Sequence, residues 1–561
     1  MPDPFSQSSQ NHLAKAINEA LNLHQRGDLD GAEKAYRRVL KTWPDQFDAL
    51  HLYGMLNFQR GKLSDALKLL NQAVRIDPRV ADVHSNLGIV LATLKRNGEA
   101  MASFDKAVAL QPNNVGALIN RGRALVESGR ADEGLASIDK ALSLDPRHVE
   151  GRINRANALV QLGRHEDALR EYDQAITAVP NHPGHPGAYF NRGNVLFSLG
   201  RPDEAVEAYQ RALAINPKSD AAWNSRGVAL QALNRNTEAI ESFQRALSLK
   251  ADHADAHFNV SLALLAAGDY PRGFREYEWR WKRTGMPEQR KFSAPAWTGE
   301  QALGGKTILL HAEQGLGDSV MFARYVPELA RRGARVVLEV QPELKALLCA
   351  LEGAAQVIAR GDELPEYDLQ CPLGSLPLAF RTEFASVPAP IPYLTAPADR
   401  VAKWRERMSA FGSPRIALAW AGSAQHVNDR NRSIPLAALH PLLAAEALFV
   451  GVQRDMRPDD ASAMMSAPRL KNLGGEIEDL ADTAAILSLC DLVISVDTSV
   501  AHVAGAIGRP LWMLIPFAPD WRWTLGGTSP WYPQARLFRQ PHRGDWPGAI
   551  ADMAGALAQR G

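Results

Sequence analysis

At 561 residues, 46% hydrophobic and 22% charged with a formal net charge of +1, the chain is too long for a single core and is expected to hold several units of roughly 100–200 residues. The near-neutral charge argues against a dedicated nucleic-acid or anionic-membrane binder, whose affinity would rest on excess Lys and Arg. Three cysteines, Cys349, Cys371 and Cys490, stand far apart without CxxC spacing; they suggest neither a disulfide framework nor a zinc site and fit a reducing compartment.

The N-terminal stretch MPDPFSQSSQ is polar and lacks the apolar core of a secretory signal. No apolar run approaches the roughly 20 residues needed to span a bilayer. The expectation is a cytoplasmic protein; a peripheral membrane association would leave no such signature and is compatible with it.

A repeat follows. Pro44, Pro78, Pro112, Pro146 and Pro180 are each 34 residues apart. Pro217 comes 37 later, because His182-Pro183-Gly184 is repeated at once as His185-Pro186-Gly187, and Ala251 then stands in the proline slot. Small residues keep the register at Ala32, Ala66, Ala100, Gly134, Ala168, Ala205, Ala239 and Gly273, where two helices would cross closely. Gly27, Gly61, Gly129, Gly163, Gly200 and Gly268 end the first helix of a pair, where positive φ is often required. Larger residues at Tyr36, Leu70, Phe104, Ile138, Tyr172, Tyr209, Phe243 and Tyr277 fill the seams. The pattern predicts about eight helix pairs over residues 11–283, each burying its apolar face on its neighbour. With its 34-residue period it resembles the tetratricopeptide family, which implies a polypeptide-binding α-solenoid.

One register suggests more than packing. Asn86, Asn120, Asn154, Asn191 and Asn259 share a position, with Ser225 in the sixth slot. An Asn side chain carries both donor and acceptor, so such a column can pair with a peptide backbone whatever its sequence. The resemblance places this column on the concave side of the solenoid. Arg121, Arg155, Arg192 and Arg226 follow directly as a candidate anion-attracting stripe. The plainer alternative is that Asn is a frequent repeat residue and the Arg side chains are solvated.

Residues 284–306 lack periodicity and are rich in Gly and Pro, as in a linker. Beyond them, short apolar runs alternate with amphipathic segments: TILLHAE, a helix near 318–332, RVVLEVQ, a helix near 342–352, QVIAR. The pattern restarts at RIALAWAG and continues through ALFVGVQ, DLVISVD and PLWMLIP. Strands alternating with helices predict parallel, doubly wound sheets, here two lobes joined near 385–414. Ligands bind open α/β sheets at the carboxyl ends of the strands. A last helix at about 547–559 is placed to cross back onto the first lobe. The division expected is a solenoid at 11–283, a linker at 284–306, lobes at 307–395 and 396–546, and a closing helix at 547–561.

Four strand-end loops carry candidate chemistry. Gln314-Gly315-Leu316-Gly317-Asp318 follows the first strand; its glycines permit close approach to a ligand, and Asp318 stands in a first helical turn. Asp318 reads equally as a capping carboxylate. Asp497-Thr498-Ser499-Val500-Ala501-His502 leaves a strand and enters a helix, whose N-terminus suits a diphosphate. The alternative there is capping by Asp497 or Thr498 and a His satisfied within the fold. Between them, Arg430 and Arg432 in Asn428-Asp429-Arg430-Asn431-Arg432-Ser433 are candidate phosphate neutralisers or solvated loop residues. Asp520-Trp521-Arg522-Trp523 reads as a sugar platform or, in preference, a packing cluster.

Together, GLGD after the first strand, DTSVAH after a late strand and the following Gly508-Arg509-Pro510-Leu511-Trp512 resemble glycosyltransferase family 9, the bacterial heptosyltransferases, over most of 306–561. The resemblance implies a GT-B fold of two Rossmann-like lobes and inverting, metal-independent transfer from a nucleotide sugar, with no further cofactor. It also implies Asp318 as catalytic base, and donor binding by Gly315, Gly317, Arg430 or Arg432, Asp497, Thr498, Ser499 and His502. Ser499 stands where the family commonly has Gly. Repeats followed by such a transferase also resemble, in architecture, the O-linked N-acetylglucosamine transferases. The acceptor implied is a polypeptide or glycan presented by the repeats. The competing reading is a non-catalytic repeat scaffold with a degenerate transferase-like domain.

Overall fold

The computed structural model describes residues 7–179, 182, 184–283, 285, 289–426 and 428–560. The expectations resting on residues 1–6, Pro180, Pro183, Thr284 and 286–288 lie outside them. The chain divides into two compact units, Met1–Lys218 and Ser219–Gly561.

The repeats fold as expected, into sixteen α-helices among the described residues, from Gln7–Gln25 to Tyr270–Tyr277. The first twelve lie in the first unit and the last four in the second. The end of each first helix turns through the left-handed region at eight equivalent positions. Six are the glycines expected there, such as Gly27 at φ 79°, and the other two are Lys95 (59°) and Asn234 (58°). The seam residues are buried: Tyr36, Leu70, Phe104, Ile138 and Phe243 are fully covered. What makes room for them is a small-residue register that the sequence analysis missed. Gly54, Gly88, Gly122, Gly193 and Gly227 lie in the first helix of five of the pairs, and a Cβ on Gly88 would stand 2.5 Å from the Phe104 ring.

The second unit holds two all-parallel sheets. In the first lobe β1 (Thr307–His311), β2 (Arg335–Val340), β3 (Ala354–Ala359) and β4 (Leu369–Pro372) run in the order β3-β2-β1-β4. In the second, β5 (Arg415–Ala419), β6 (Leu448–Gly451), β7 (Leu470–Asn472), β8 (Leu492–Ser495), β9 (Leu511–Ile515) and β10 (Ala535–Arg539) run β10-β9-β8-β5-β6-β7. The strand order reverses between β5 and β8, which creates a crevice at their carboxyl ends. Strands β4, β7 and β10 were not read from the sequence; they are three to five residues long, and β7 has an exposed central Lys471.

Three expectations need correction. The solenoid does not end as a separate body before the lobes: Leu265, Tyr270, Phe274 and Tyr277 share one continuous core with Leu310, Leu338, Val493 and Met513. Residues 289–306 are packed chain, not a loose linker. Phe292 stacks on His311 at 4.3 Å, Ala296 pairs with Gln370 of β4, and Trp297 is buried with its backbone N–H donated to the Gln370 carbonyl. The closing helix, Trp546–Ala558, stays on the second lobe, where Ala549, Ile550 and Met553 join Ile416, Phe449 and Leu514. Its apolar face matches that lobe's own uncovered sheet face, so no crossing is needed.

Candidate active site

The loops that leave β1, β5, β6, β8 and β9 converge on one cavity of about 620 Å³. Gly315–Asp318 line it from the first lobe. Gly422, Ser423, His426, Arg432, Gln453–Asp455, Asp497–Val500, His502, Asp520 and Arg522 line it from the second.

Asp318 is the third residue of the helix Leu316–Phe322, and its Oδ2 accepts the Gly315 N–H at 3.1 Å. The capping role is therefore real, and it fixes the carboxylate at the cavity wall rather than excluding it from the site. Gly317 is required by proximity. A Cβ there would lie 2.6 Å from the His502 ring, so glycine lets the two lobes meet at this point. Gln341 donates from Nε2 to the Gln314 carbonyl at 2.7 Å, and Tyr277 donates its hydroxyl to Gln314 Oε1 at 2.8 Å. A residue of the last repeat thus braces the loop.

In the second lobe Thr498 precedes the helix Ser499–Ala506 and does not cap it with its side chain. The start of that helix lines the cavity with Thr498, Ser499 and Val500. His502 is buried, shares a 3.0 Å hydrogen bond between Nδ1 and the Tyr532 hydroxyl, and packs beside Trp523. Burial, then the nearby Arg522, Arg324 and Arg432, holds it well below the usual histidine range, so it is a neutral wall residue. The structure separates the two arginines that the sequence left as alternatives. Arg432 lies against Gly422, donates from Nη1 to the Asp497 carbonyl at 3.0 Å and lines the cavity. Arg430 is exposed and outside the lining.

The residue that sequence reasoning undervalued is Arg522. The packing reading holds for its neighbours, since Trp521 and Trp523 are buried against Tyr277, His502 and Tyr532. Arg522 itself donates from Nη2 to Asp318 Oδ1 and from Nη1 to Asp520 Oδ1, the latter at 2.7 Å. Burial works against its charge, but the Asp318 and Asp520 carboxylates hold it well above the ordinary arginine range. Asp497 is pushed up to about 6 by burial and then by Asp520. The cavity thus concentrates carboxylates and guanidinium groups in one low-dielectric space, as in sites that handle charge. Gln453 was also missed; it accepts the Trp420 and Ala421 N–H groups through Oε1 at 3.3 and 3.1 Å and shapes the loop after β5.

The Asn column is half-buried and mostly engaged between repeats. Asn86 bonds His51 at 2.8 Å, while Asn120, Asn191 and Asn259 donate to Ser85 (3.2 Å), Asn157 (3.1 Å) and Asn224 (3.0 Å). Asn154 shows no such bond. The Arg stripe is not a free anion-attracting surface. Arg121, Arg155 and Arg192 pair with Asp105, Asp139 and Asp173 at 2.7, 2.7 and 2.8 Å, and Arg226 donates to Ser242.

Comparison with known proteins is consistent with both halves. The tetratricopeptide repeat model matches residues 17–81, 58–115, 119–186, 155–220 and 224–283. The glycosyltransferase family 9 (heptosyltransferase) model matches residues 455–543, which contain the β8 loop and Arg522 but neither Asp318 nor Arg432. Protein FlbA of Caulobacter vibrioides is 29% identical over 343 residues, 54% of this chain and 55% of that protein. The chain therefore spans about half the length of this curated relative. A tetratricopeptide repeat protein from Parabacteroides merdae is 18% identical over 45% of this chain and 98% of its own, with a TM-score of 0.38. One from Thermus thermophilus is 23% identical over 33% and 100%, with a TM-score of 0.30. The matches thus place tetratricopeptide repeats in the first half of the chain and part of a glycosyltransferase family 9 domain, over residues 455–543, in the second. No described helix is long and apolar enough to cross a membrane.

Proposed function

We propose that the chain is a glycosyltransferase that moves a sugar from a nucleotide-sugar donor to a polypeptide or glycan acceptor, with inversion and without a catalytic metal. One observation carries the reading: Asp318 from the first lobe and the helix start at Thr498–Ser499 from the second line the same cavity, with Arg432 and Arg522 between them.

A donor diphosphate would lie against the start of the helix Ser499–Ala506, where N–H groups and the helix dipole favour anions. Arg432 and Arg522 would supply its countercharge. The acceptor hydroxyl oxygen attacks the anomeric carbon and forms the new C–O bond. The bond from that carbon to the diphosphate oxygen breaks, and its electron pair leaves with the nucleoside diphosphate. Asp318 takes the hydroxyl proton. Attack opposite the leaving group gives inversion in a single displacement. The repeats would present the acceptor.

The test is transfer and donor hydrolysis by the full chain against a panel of nucleoside diphosphate sugars. Asp318→Asn keeps a side-chain oxygen that can still accept the Gly315 N–H. Loss of a general base lowers the rate by about 10²–10⁴-fold. A transfer rate unchanged in this variant would remove Asp318 from the mechanism.

A further inference from the structure

The reaction proposed above asks two things of one small region, a carboxylate able to take a proton and positive charge for a departing diphosphate. The structure sets these two needs against each other. The Arg522 guanidinium links Asp318 of the first lobe to Asp520 of the second. Its Cζ lies 4.4 Å from the centre of the Trp521 ring, its side chain is 10% exposed, and its Nε is buried without a partner. Its two terminal nitrogens are therefore the groups that can reach a ligand, and each is held by a carboxylate. Asp318 has one oxygen on Gly315 and the other on Arg522. The Arg522 hydrogen bond occupies the Asp318 oxygen that an incoming proton would need to reach. Phosphate oxygens offer arginine the same paired geometry as a carboxylate, with more charge.

Resting on that reading, we propose that Arg522 is a shared cation for which the Asp318 carboxylate and the donor's diphosphate compete, so that a diphosphate drawing on Arg522 frees Asp318 to act as base. Asp520, two residues away on the same loop, keeps the guanidinium anchored to the second lobe during the exchange. The proton-accepting oxygen is then released by the donor itself, which couples access to that oxygen to donor binding.

A double-mutant cycle tests this, with the affinity of the full chain for UDP, GDP, ADP and CDP measured by titration calorimetry. Arg522→Gln is expected to weaken the nucleotide that binds by about tenfold or more, as for loss of a charged hydrogen bond. Asp318→Asn is expected to tighten it by roughly three- to tenfold, because the competitor is gone. In the double variant that gain should vanish. A gain that persists undiminished in the Arg522→Gln background would mean simple charge repulsion by Asp318 and would overturn the shared-cation role. Equal affinity in wild type and Arg522→Gln would overturn it as well. If Arg522→Gln fails to fold, Arg522→Lys replaces it. The point charge should bind the diphosphate less well and shrink the gain from Asp318→Asn, and an undiminished gain again overturns the proposal. Failure of the wild type to bind any of the four nucleotides would instead bring down the nucleotide-sugar reading, and this inference with it.

Discussion

Tyr172, Tyr209 and Tyr277 occupy one register of the repeat, yet they do different work. Tyr172 and Tyr209 donate their hydroxyls to Asn157 and Asn194, inside their own repeats, at 2.6 and 2.8 Å. Tyr277 reaches Gln314, beside the loop that carries Asp318. The same contrast holds at larger scale. Leu50, Leu70, Val83 and Phe104 of the early helices are buried against neighbouring repeats, whereas Tyr270 and Phe274 pack on Trp521 and Trp531, and the Trp531 indole donates to the Tyr270 hydroxyl at 3.0 Å. A repeat in sequence is therefore not the same thing as a folding unit: what covers an apolar face decides which unit it joins.

Truncation gives the sharpest test of that contrast. A chain ending at Lys218 should be soluble and helical by circular dichroism, since solenoid stability is built from neighbouring pairs. A chain ending at Arg283 keeps whole repeats but exposes Leu265, Tyr270, Phe274 and Tyr277, and it should bind a hydrophobic dye and aggregate. Equal behaviour of the two fragments would erase the distinction.

Next in size is removal of the ring. Tyr277→Ala and Tyr209→Ala should each cost about 3–5 kcal/mol in chemical denaturation, as for large aromatic truncations. The Tyr277 loss should appear in the transition of the second unit, and the Tyr209 loss in that of the first. Hydroxyl removal is gentler. Tyr277→Phe and Tyr209→Phe should each cost about 0.5–1.5 kcal/mol, but only Tyr277→Phe should lower transfer, because only Tyr277 braces the Gln314 loop. Equal transfer rates in the two variants would confine Tyr277 to packing.

The smallest effects are expected in the Asn column. Asn120→Ala, Asn191→Ala and Asn259→Ala each remove a bond between repeats and should lower stability by about 0.5–1.5 kcal/mol each. Asn154→Ala, which removes no such bond, should leave the melting temperature close to that of wild type. If all four are silent in melting but weaken capture of an acceptor peptide, the column is a ligand-contacting ladder rather than glue between repeats.

The sequence by itself determined the elements whose signals are local. The 34-residue period, the turns at Gly27 to Gly268 and the buried seam residues follow from helix geometry and from the few residues that tolerate positive φ. The two parallel sheets were legible from apolar runs such as TILLH and LVIS, while β4, β7 and β10 were too short or too polar to stand out. Only the tertiary structure decided the rest. It chose Arg432 over Arg430 at the cavity, kept the closing helix on the second lobe and gave the last repeats to the second unit. It also brought Arg522 to Asp318 across 204 residues of chain. Such a contact leaves no periodic trace, because it depends on how two sheets built from separate stretches of chain present their strand ends, and no spacing in one sequence encodes that.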